Sequence, residues 1–464
     1  MNSSPPDPIR LEGFAPQDLY QKREKIFTRY VGGFFQRLRF YSGWPLLVGY
    51  FGIPWLMWDE RQAVLFDLTA RQFHLFHLTM WPQDFWLLGW LLMIAAFGLF
   101  TVTAIVGRLW CGYTCPQTIW TAIFMWAEQI TEGSRHQRIR LDKAKLSWNK
   151  IWRRTAKHLL WFGVAALTGI AFVGYFVPIR DLYASMFGFE VPGWETFWIL
   201  LFTFGTYVNA GWLREQVCLY MCPYARFQSA MVDKDTLIVS YDDARGEQRG
   251  SRKKTAKPSG LGDCIDCQLC VQVCPTGIDI RDGLQYECIG CAHCIDACNQ
   301  VMGVMNYSPG LIRYATQHEM AGGVTHWLRA KSVGYGLVCA GMVVAFGIAI
   351  LARSEFAFDI LRERGELYRT DVSGLVFNDY QLKLMNKSQR VQSYNVSVQT
   401  PKFITMAQPL VLELPAGDID NISLQLYSSE PGYGNVSVDL SVCKTNTQEC
   451  VVETTTFFRP IPTS

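Results

Sequence analysis

Eight of the fifteen cysteines form two matching quartets. Cys264, Cys267, Cys270 and Cys274 make the first, followed by Pro275, and Cys288, Cys291, Cys294 and Cys298 make the second. Both have the spacing C-x2-C-x2-C-x3-C, the ligand run of a bacterial ferredoxin with two 4Fe–4S clusters. Three closely spaced thiolates wrap one corner of a cubane, while the fourth serves the other cluster. The spacing therefore predicts one cluster on Cys264, Cys267, Cys270 and Cys298, and another on Cys288, Cys291, Cys294 and Cys274. Zinc ribbons also use C-x2-C repeats, but as two pairs, and three close ligands plus a distant one do not suit them. Asn299, not proline, follows Cys298, which removes no ligand. Gly277 and Gly290 suit tight backbone beside a cluster. The chemistry on offer is the passage of single electrons.

Two further cysteine pairs stand apart from the quartets. Cys111 and Cys115 precede Pro116, and Cys218 and Cys222 precede Pro223. Each pair reads C-x3-C-P after an apolar run and an arginine, Arg108 or Arg214. Proline suits the first position of a helix, so Cys115 and Cys222 should sit at helix N-termini, where the dipole favours thiolate. If the chain stays helical, the two cysteines of each pair share a face. Brought together, the pairs offer up to four soft thiolates, a donor set that favours Cu(I). Met221 could add a thioether, although methionine in an apolar helix usually packs. Buried structural cysteines are the plain alternative, and the repetition of the motif with its proline argues for a redox or metal role.

The elements that must position these groups are mostly apolar. Of 464 residues, 50% are hydrophobic and 14% aromatic, and the net charge is only +3. Five nearly uncharged stretches approach the roughly 20 residues of a bilayer-crossing helix: about Phe40–Trp58, Phe85–Val106, His158–Val177, Trp194–Leu213 and Val333–Ala352. Pro45 and Pro54 should kink the first, and Glu195 and Asn209 make the fourth the least clean. The second and fourth spans end in the C-x3-C-P elements, so spans one and two repeat as three and four. Both halves run in the same sense, which places their axis along the membrane normal. No signal peptide is visible ahead of the first span. Cysteines this numerous point to metal and redox thiols in a reducing compartment.

Lys and Arg number seven in 1–39, ten in 107–157 and nine in 214–257, against two in 59–83 and one in 178–193. The positive-inside rule then puts the N-terminus and the cysteine-rich module in the cytoplasm and everything after Arg353 on the other side. The run Leu19–Phe40 reads as an interfacial helix or a solvated arm. From about Tyr368 alternating runs appear, at Gly374–Asn378, Gln381–Met385, Ser393–Val398, Leu410–Leu414, Ile422–Tyr427, Val436–Val442 and Glu449–Phe457. Turn formers such as Pro431-Gly432 separate them, and seven short strands predict an immunoglobulin-like β-sandwich. Cys443 and Cys450 flank a hairpin tip and are expected to form a disulfide in an oxidising compartment, with free thiols or a soft-metal site as the alternatives.

The expected fold is thus membrane α-helical with five transmembrane helices, an inserted two-cluster ferredoxin-like domain and a C-terminal immunoglobulin-like β-sandwich. Expected boundaries are an N-terminal arm at 1–39, a four-helix membrane domain at 40–232, a ferredoxin-like domain at 233–330, a fifth membrane helix at 331–353 and the exported domain at 354–464. His74, His77 and Met80, at threefold spacing, are a weak candidate copper or haem contact on one helical face, with His158 a similar candidate opposite.

Together these elements resemble the CcoG/FixG/RdxA family of cytochrome oxidase accessory proteins, over nearly the whole chain. The resemblance rests on Trp81-Pro82-Gln83-Asp84, on Gly107 to Thr118 around the first C-x3-C-P, on Cys218 to Tyr224 around the second, on the two quartets and on the β-rich tail. It implies a bacterial inner-membrane protein that supports biogenesis of cbb3-type haem–copper oxidase, with reduction of Cu(II) to Cu(I). The expected reaction passes electrons from a cytoplasmic donor or a membrane quinol, through two 4Fe–4S clusters, to copper near Cys111, Cys115, Cys218 and Cys222. Expected partners are the lipid bilayer, copper, and oxidase subunits or copper chaperones, and no nucleic acid. Two rival readings are a quinol-oxidising subunit of a larger reductase and a non-redox assembly scaffold.

Overall fold

A computed structural model of the protein describes residues 25–460, apart from 59, 189, 255–259, 364, 372–373, 389, 431 and 448. Residues 1–24 of the expected arm, the start of the Leu19–Phe40 run and Pro431 of the expected turn lie outside the described residues. The chain forms two compact units.

One unit draws on Met1–Leu46, Val102–Ala165 and Phe204–Arg329. Its residues 25–33 are not helical. They pack against the cysteine-rich module, with Arg29 N donating to Gln272 O at 2.8 Å and Val31 buried beside Val273 and Ala297. The helix Phe34–Gly52 therefore starts earlier than expected, with Pro45 inside it. Asp296 fixes that start by accepting from Phe35 N and Gln36 N at 3.2 and 2.8 Å, which satisfies two of the amides a helix N-terminus leaves open. The module itself holds the helices Leu269–Val273 and His293–Met305 and the antiparallel pair Ile238–Tyr241 with Ile312–Ala315.

The other unit draws on Leu47–Thr101, Ala166–Thr203 and Ala330–Ser464. Its C-terminal part is two antiparallel sheets. One orders Ile404–Met406, Ile419–Ser428, Val376–Asn386 and Phe356–Arg362, with Arg369–Thr370 also on Val376–Asn386. The other orders Leu410–Leu414, Gln392–Thr400, Val436–Lys444 and Cys450–Phe457. Alternating inward residues such as Tyr380, Leu382, Leu384, Val438, Leu440 and Val442 form the core. Two expected strands, Gly374–Asn378 and Gln381–Met385, are one continuous strand, Val376–Asn386. Asn378, where the first expected strand ended, is buried within it, and its side chain bonds both ways to the Phe458 backbone at 2.9 Å. Phe356–Arg362 is a strand that the sequence pattern did not reveal. Cys443 and Cys450 are paired across the last hairpin in a disulfide.

Among the described residues three helices are long and apolar enough to cross a membrane, Pro82–Val106, Trp148–Val173 and Ala330–Leu351, and they mark the chain as a membrane protein. The other two expected spans differ. Phe34–Gly52 opens with Gln36, Arg37 and Arg39. The fourth stretch is α-helical only over Gly193–Thr206, and Tyr207–Leu213 continues as π-helix, so no single α-helix there reaches spanning length. The motif Trp81–Asp84 has a structural role: buried Asp84 accepts from Trp81 N at 3.0 Å and pairs with Arg353 at 2.5 Å and Lys387 at 3.6 Å. It ties the start of one apolar helix to the segment that leaves another and to the sandwich.

Candidate metal centre

The two quartets fold alike. In each, the residue before the second cysteine and the residue after it are left-handed: Asp266 and Gln268 at φ 51° and 55°, Gly290 and Ala292 at φ 66° and 60°. Left-handed backbone at matched points turns successive amides inward. Gln268 and Ala292 then open the helices Leu269–Val273 and His293–Met305. Gly277, at φ 76°, meets the expectation of tight backbone there.

Cys264, Cys267, Cys270 and Cys298 line one cavity. Cys274, Cys288, Cys291 and Cys294 line a second, with Cys270 also on its wall. Electrostatics divide the thiols in the same way. Burial, then Cys270, Cys264 and Cys267, push the Cys298 thiol up to about 12. Burial, then Cys291 and Cys274, push Cys288 up to about 12. Four sulfurs around each cavity can ionise together only if a cation shares them, so the donor sets fit one 4Fe–4S cluster each.

The C-x3-C-P elements are not continuous helix. Cys111 lies in Leu109–Tyr113 and Cys218 in the π-helical Val217–Met221. Cys115 and Cys222 are extended, at φ −60°, ψ 128° and φ −80°, ψ 109°. The following proline bars α geometry from the residue before it, so neither pair shares a helical face as expected. Both second cysteines instead cap a new helix, Pro116–Glu132 or Pro223–Met231. The two elements keep equivalent backbone bonds, Cys115 N to Trp110 O at 3.0 Å and Cys222 N to Val217 O at 2.8 Å.

The four thiols still lie in one neighbourhood, although no three of their sulfurs fall within 4.8 Å of one another. Cys111 interacts electrostatically with Cys115, Cys218 and Cys222. Burial, followed by Cys115, lifts the Cys111 thiol to about 12, and burial with the same neighbours lifts Cys218 to about 11. At these two positions, which do not cap the new helices, desolvation dominates. The arginines bind across the repeat. Arg108 donates to Ala225 O at 3.1 Å, on the second new helix, and Arg214 pairs with Glu128 at 2.5 Å, on the first. Buried Gln228 donates to Gly107 O at 3.1 Å and accepts from Cys111 Sγ at 3.5 Å.

The two cysteine systems touch. A Cβ at Gly112 would lie 2.8 Å from Gly290 O and 3.0 Å from the Cys291 Cα, so only glycine allows this approach. Arg108 also donates to Cys288 O at 3.2 Å, and Arg39 donates to Gly112 O at 2.9 Å. Sequence reading missed Arg39, Gly112, Gln228 and Glu128. The one available signal was the arginine repeated ahead of each C-x3-C-P.

The His74, His77 and Met80 group does not form. Its residues lie on the hairpin Gln72–Leu75 and Leu78–Met80, not a helix, and His74 Nδ1 bonds Thr79 Oγ1 at 3.0 Å. Met80 stands opposite Phe73 in the register, not His74, and His77 lies in the turn, so these side chains share no face. His158 Nδ1 bonds the Tyr207 hydroxyl at 2.8 Å.

These features define a membrane protein with a two-cluster ferredoxin module. Family profiles match the same regions: a 4Fe-4S dicluster domain at residues 213–317, a 4Fe-4S binding domain at 88–132, and the IG-like fold at the C-terminus of FixG at 346–460. Nitrogen fixation protein FixG of Rhizobium meliloti is 39% identical over 429 residues, 84% of this chain and 82% of that protein. Protein RdxA of Cereibacter sphaeroides is 39% identical over 401 residues, 82% of this chain and 84% of that protein. The chain belongs to the FixG/RdxA family. A crystal structure of a FixG-related protein from Vibrio parahaemolyticus aligns with 23% of this chain and 98% of its own, at 21% identity and a TM-score of 0.22.

Proposed function

We propose that this iron–sulfur electron-transfer protein is a membrane cupric reductase, with Cu(II) as substrate and Cu(I) as product. The observation that supports it is the backbone contact of Gly112 with Gly290 and Cys291, which seats a four-thiol site against the cluster module. When bound, 4Fe–4S clusters supply one-electron transfer. Cys264, Cys267, Cys270 and Cys298 would hold one, and Cys274, Cys288, Cys291 and Cys294 the other.

The chain's own residues do the rest. Cys111, Cys115, Cys218 and Cys222 bind copper and release their protons as they do so. Soft sulfur holds the Cu(I) product more tightly than Cu(II), which favours reduction by one electron per ion. Buried Gln228 orients Cys111, and Arg108 and Arg39 hold the first C-x3-C-P element on the module. On this reading the chain crosses the bacterial inner membrane five times, Phe34–Gly52 and the α/π run from Gly193 to Leu213 supplying the remaining two crossings. The basic segments keep the module cytoplasmic and the disulfide-bonded sandwich periplasmic. Cu(I) then serves assembly of a cbb3-type oxidase copper centre.

The test is Cu(II) reduction by anaerobic, dithionite-reduced protein followed with a Cu(I) chelator. Changing Cys111, Cys115, Cys218 and Cys222 to serine should abolish chelatable Cu(I) while leaving the cluster absorbance intact. An unchanged rate removes copper from these residues.

A further inference from the structure

The same unit holds a cleft of about 410 Å³, within the range of small-molecule sites. One wall carries Cys218, of the proposed copper site. Another carries Pro275, Thr276 and Ile289, which adjoin Cys274 and Cys288 of the module. We propose that this cleft binds the headgroup of a membrane quinol, the electron donor. The inference rests on the cupric reductase reading and names its reductant.

Three observations select this occupant. The first is position. His158 and Trp161 line the cleft from Trp148–Val173, one of the helices long enough to cross a membrane. There the helix passes from Arg153, Arg154 and Lys157 to an apolar run, with Trp148 and Trp152 exposed beside it. That is the composition of a membrane–water boundary, where a lipid-soluble carrier presents its polar ring.

The second is charge. Five cations line the cleft together with the carboxylates of Glu128 and Glu215, and the cations alone would suggest an anionic ligand. Each is already engaged: Lys25 and Arg154 with Asp142, Lys157 with Glu132, Arg214 with Glu128, and Arg39 with Gly112 O. What remains suits a neutral, flat ring against Trp212 and Met125, with buried Trp161 behind them under Lys157 and Arg214.

The third is the His158–Tyr207 pair. With Nδ1 bonded to the tyrosine hydroxyl at 2.8 Å, Nε2 is the ring nitrogen left for a ligand. If the hydroxyl donates, Nε2 carries a proton and donates to a quinone carbonyl. If Nδ1–H donates, Nε2 accepts from a hydroquinone hydroxyl. One tautomer shift serves both redox states. Oxidation breaks two O–H bonds, releases two protons, the first to His158 Nε2, and gives up two electrons. Two cupric ions, the substrate of the proposed reaction, take one electron each.

The experiment is equilibrium binding of radiolabelled ubiquinone-1 to the full chain in nanodiscs of phosphatidylcholine, which reads binding without turnover. Saturable binding to one site is expected. His158→Leu should weaken it about tenfold, the effect of one lost buried hydrogen bond. Thr121→Trp, which fills the cleft from Pro116–Glu132, should abolish it, with tryptophan emission and thermal melting checking that both variants fold. Absence of saturable binding, or binding untouched by both variants, overturns the proposal. So does displacement of the probe by phosphatidylglycerol, which would assign the cleft to a lipid headgroup. Dithionite-driven copper reduction that persists without quinone binding removes this inference alone, whereas quinone binding without copper reduction removes only the function it rests on.

Discussion

Gly112 and Gly290 let two backbones meet where any side chain would hold them apart. A methyl group at Gly112 would have to displace Gly290 O and the Cys291 backbone, both part of the second cysteine loop rather than flexible side-chain ends. Gly112→Ala should therefore separate the thiol site from the module by a few tenths of an ångström or more, with all twelve cysteines still present. We expect copper reduction to fall at least about tenfold with cluster content unchanged, as a small misplacement costs orders of magnitude in rate. An unaltered rate would show that this contact carries no electrons. The cysteine arithmetic was legible because ligand spacing is local and repeats. Gly112, Gln228 and Arg39 were not, since each acts on a partner distant in sequence and belongs to no spacing pattern.

Among the elements, Pro116–Glu132 does more than follow a proline. Its Glu128 is buried between Arg138 at 2.9 Å and Arg214 at 2.5 Å, joining the end of the π-helical segment to the first C-x3-C-P repeat. Burial alone would raise the Glu128 carboxyl, but Arg214 and Arg138 hold it below the usual range. A depressed carboxyl stabilises the fold above its unfolded value, about 4.3, and that contribution is lost as pH falls through the folded value. Glu128→Gln should cost about 3 kcal/mol at pH 7, since it leaves two arginines buried without their anion. In thermal unfolding the gap to wild type should stay constant from pH 7 to about 5 and close below about 4.3. A gap independent of pH would mean that the loss is packing, not charge. The helix positions themselves were readable from apolar runs. The break at Thr206 and the extended Cys115 and Cys222 were not, because run length does not report where the chain leaves α geometry.

At the scale of the whole molecule, the sequence pattern anticipated three kinds of part: apolar helices, a cysteine-rich module and a β-sandwich. The sandwich was legible from period-2 alternation, but its longest strand was divided after Asn378, and its first strand followed an apolar helix too closely to be separated. The shorter 4Fe-4S profile match adds a sharper question. Residues 88–132 contain only Cys111 and Cys115, so a third cluster there would need Cys218 and Cys222 as well. Metal content decides between copper and iron for those four thiols.

We propose that the two cavities hold one 4Fe–4S cluster each and that the membrane-side thiols are left for another metal. Iron and acid-labile sulfide should be quantified on protein purified anaerobically. About eight of each per chain are expected, with both lost in parallel when Cys298 and Cys274 are changed to serine. About twelve of each would give the C-x3-C-P thiols to a third cluster, and zinc without sulfide would contradict the electron-transfer reading altogether.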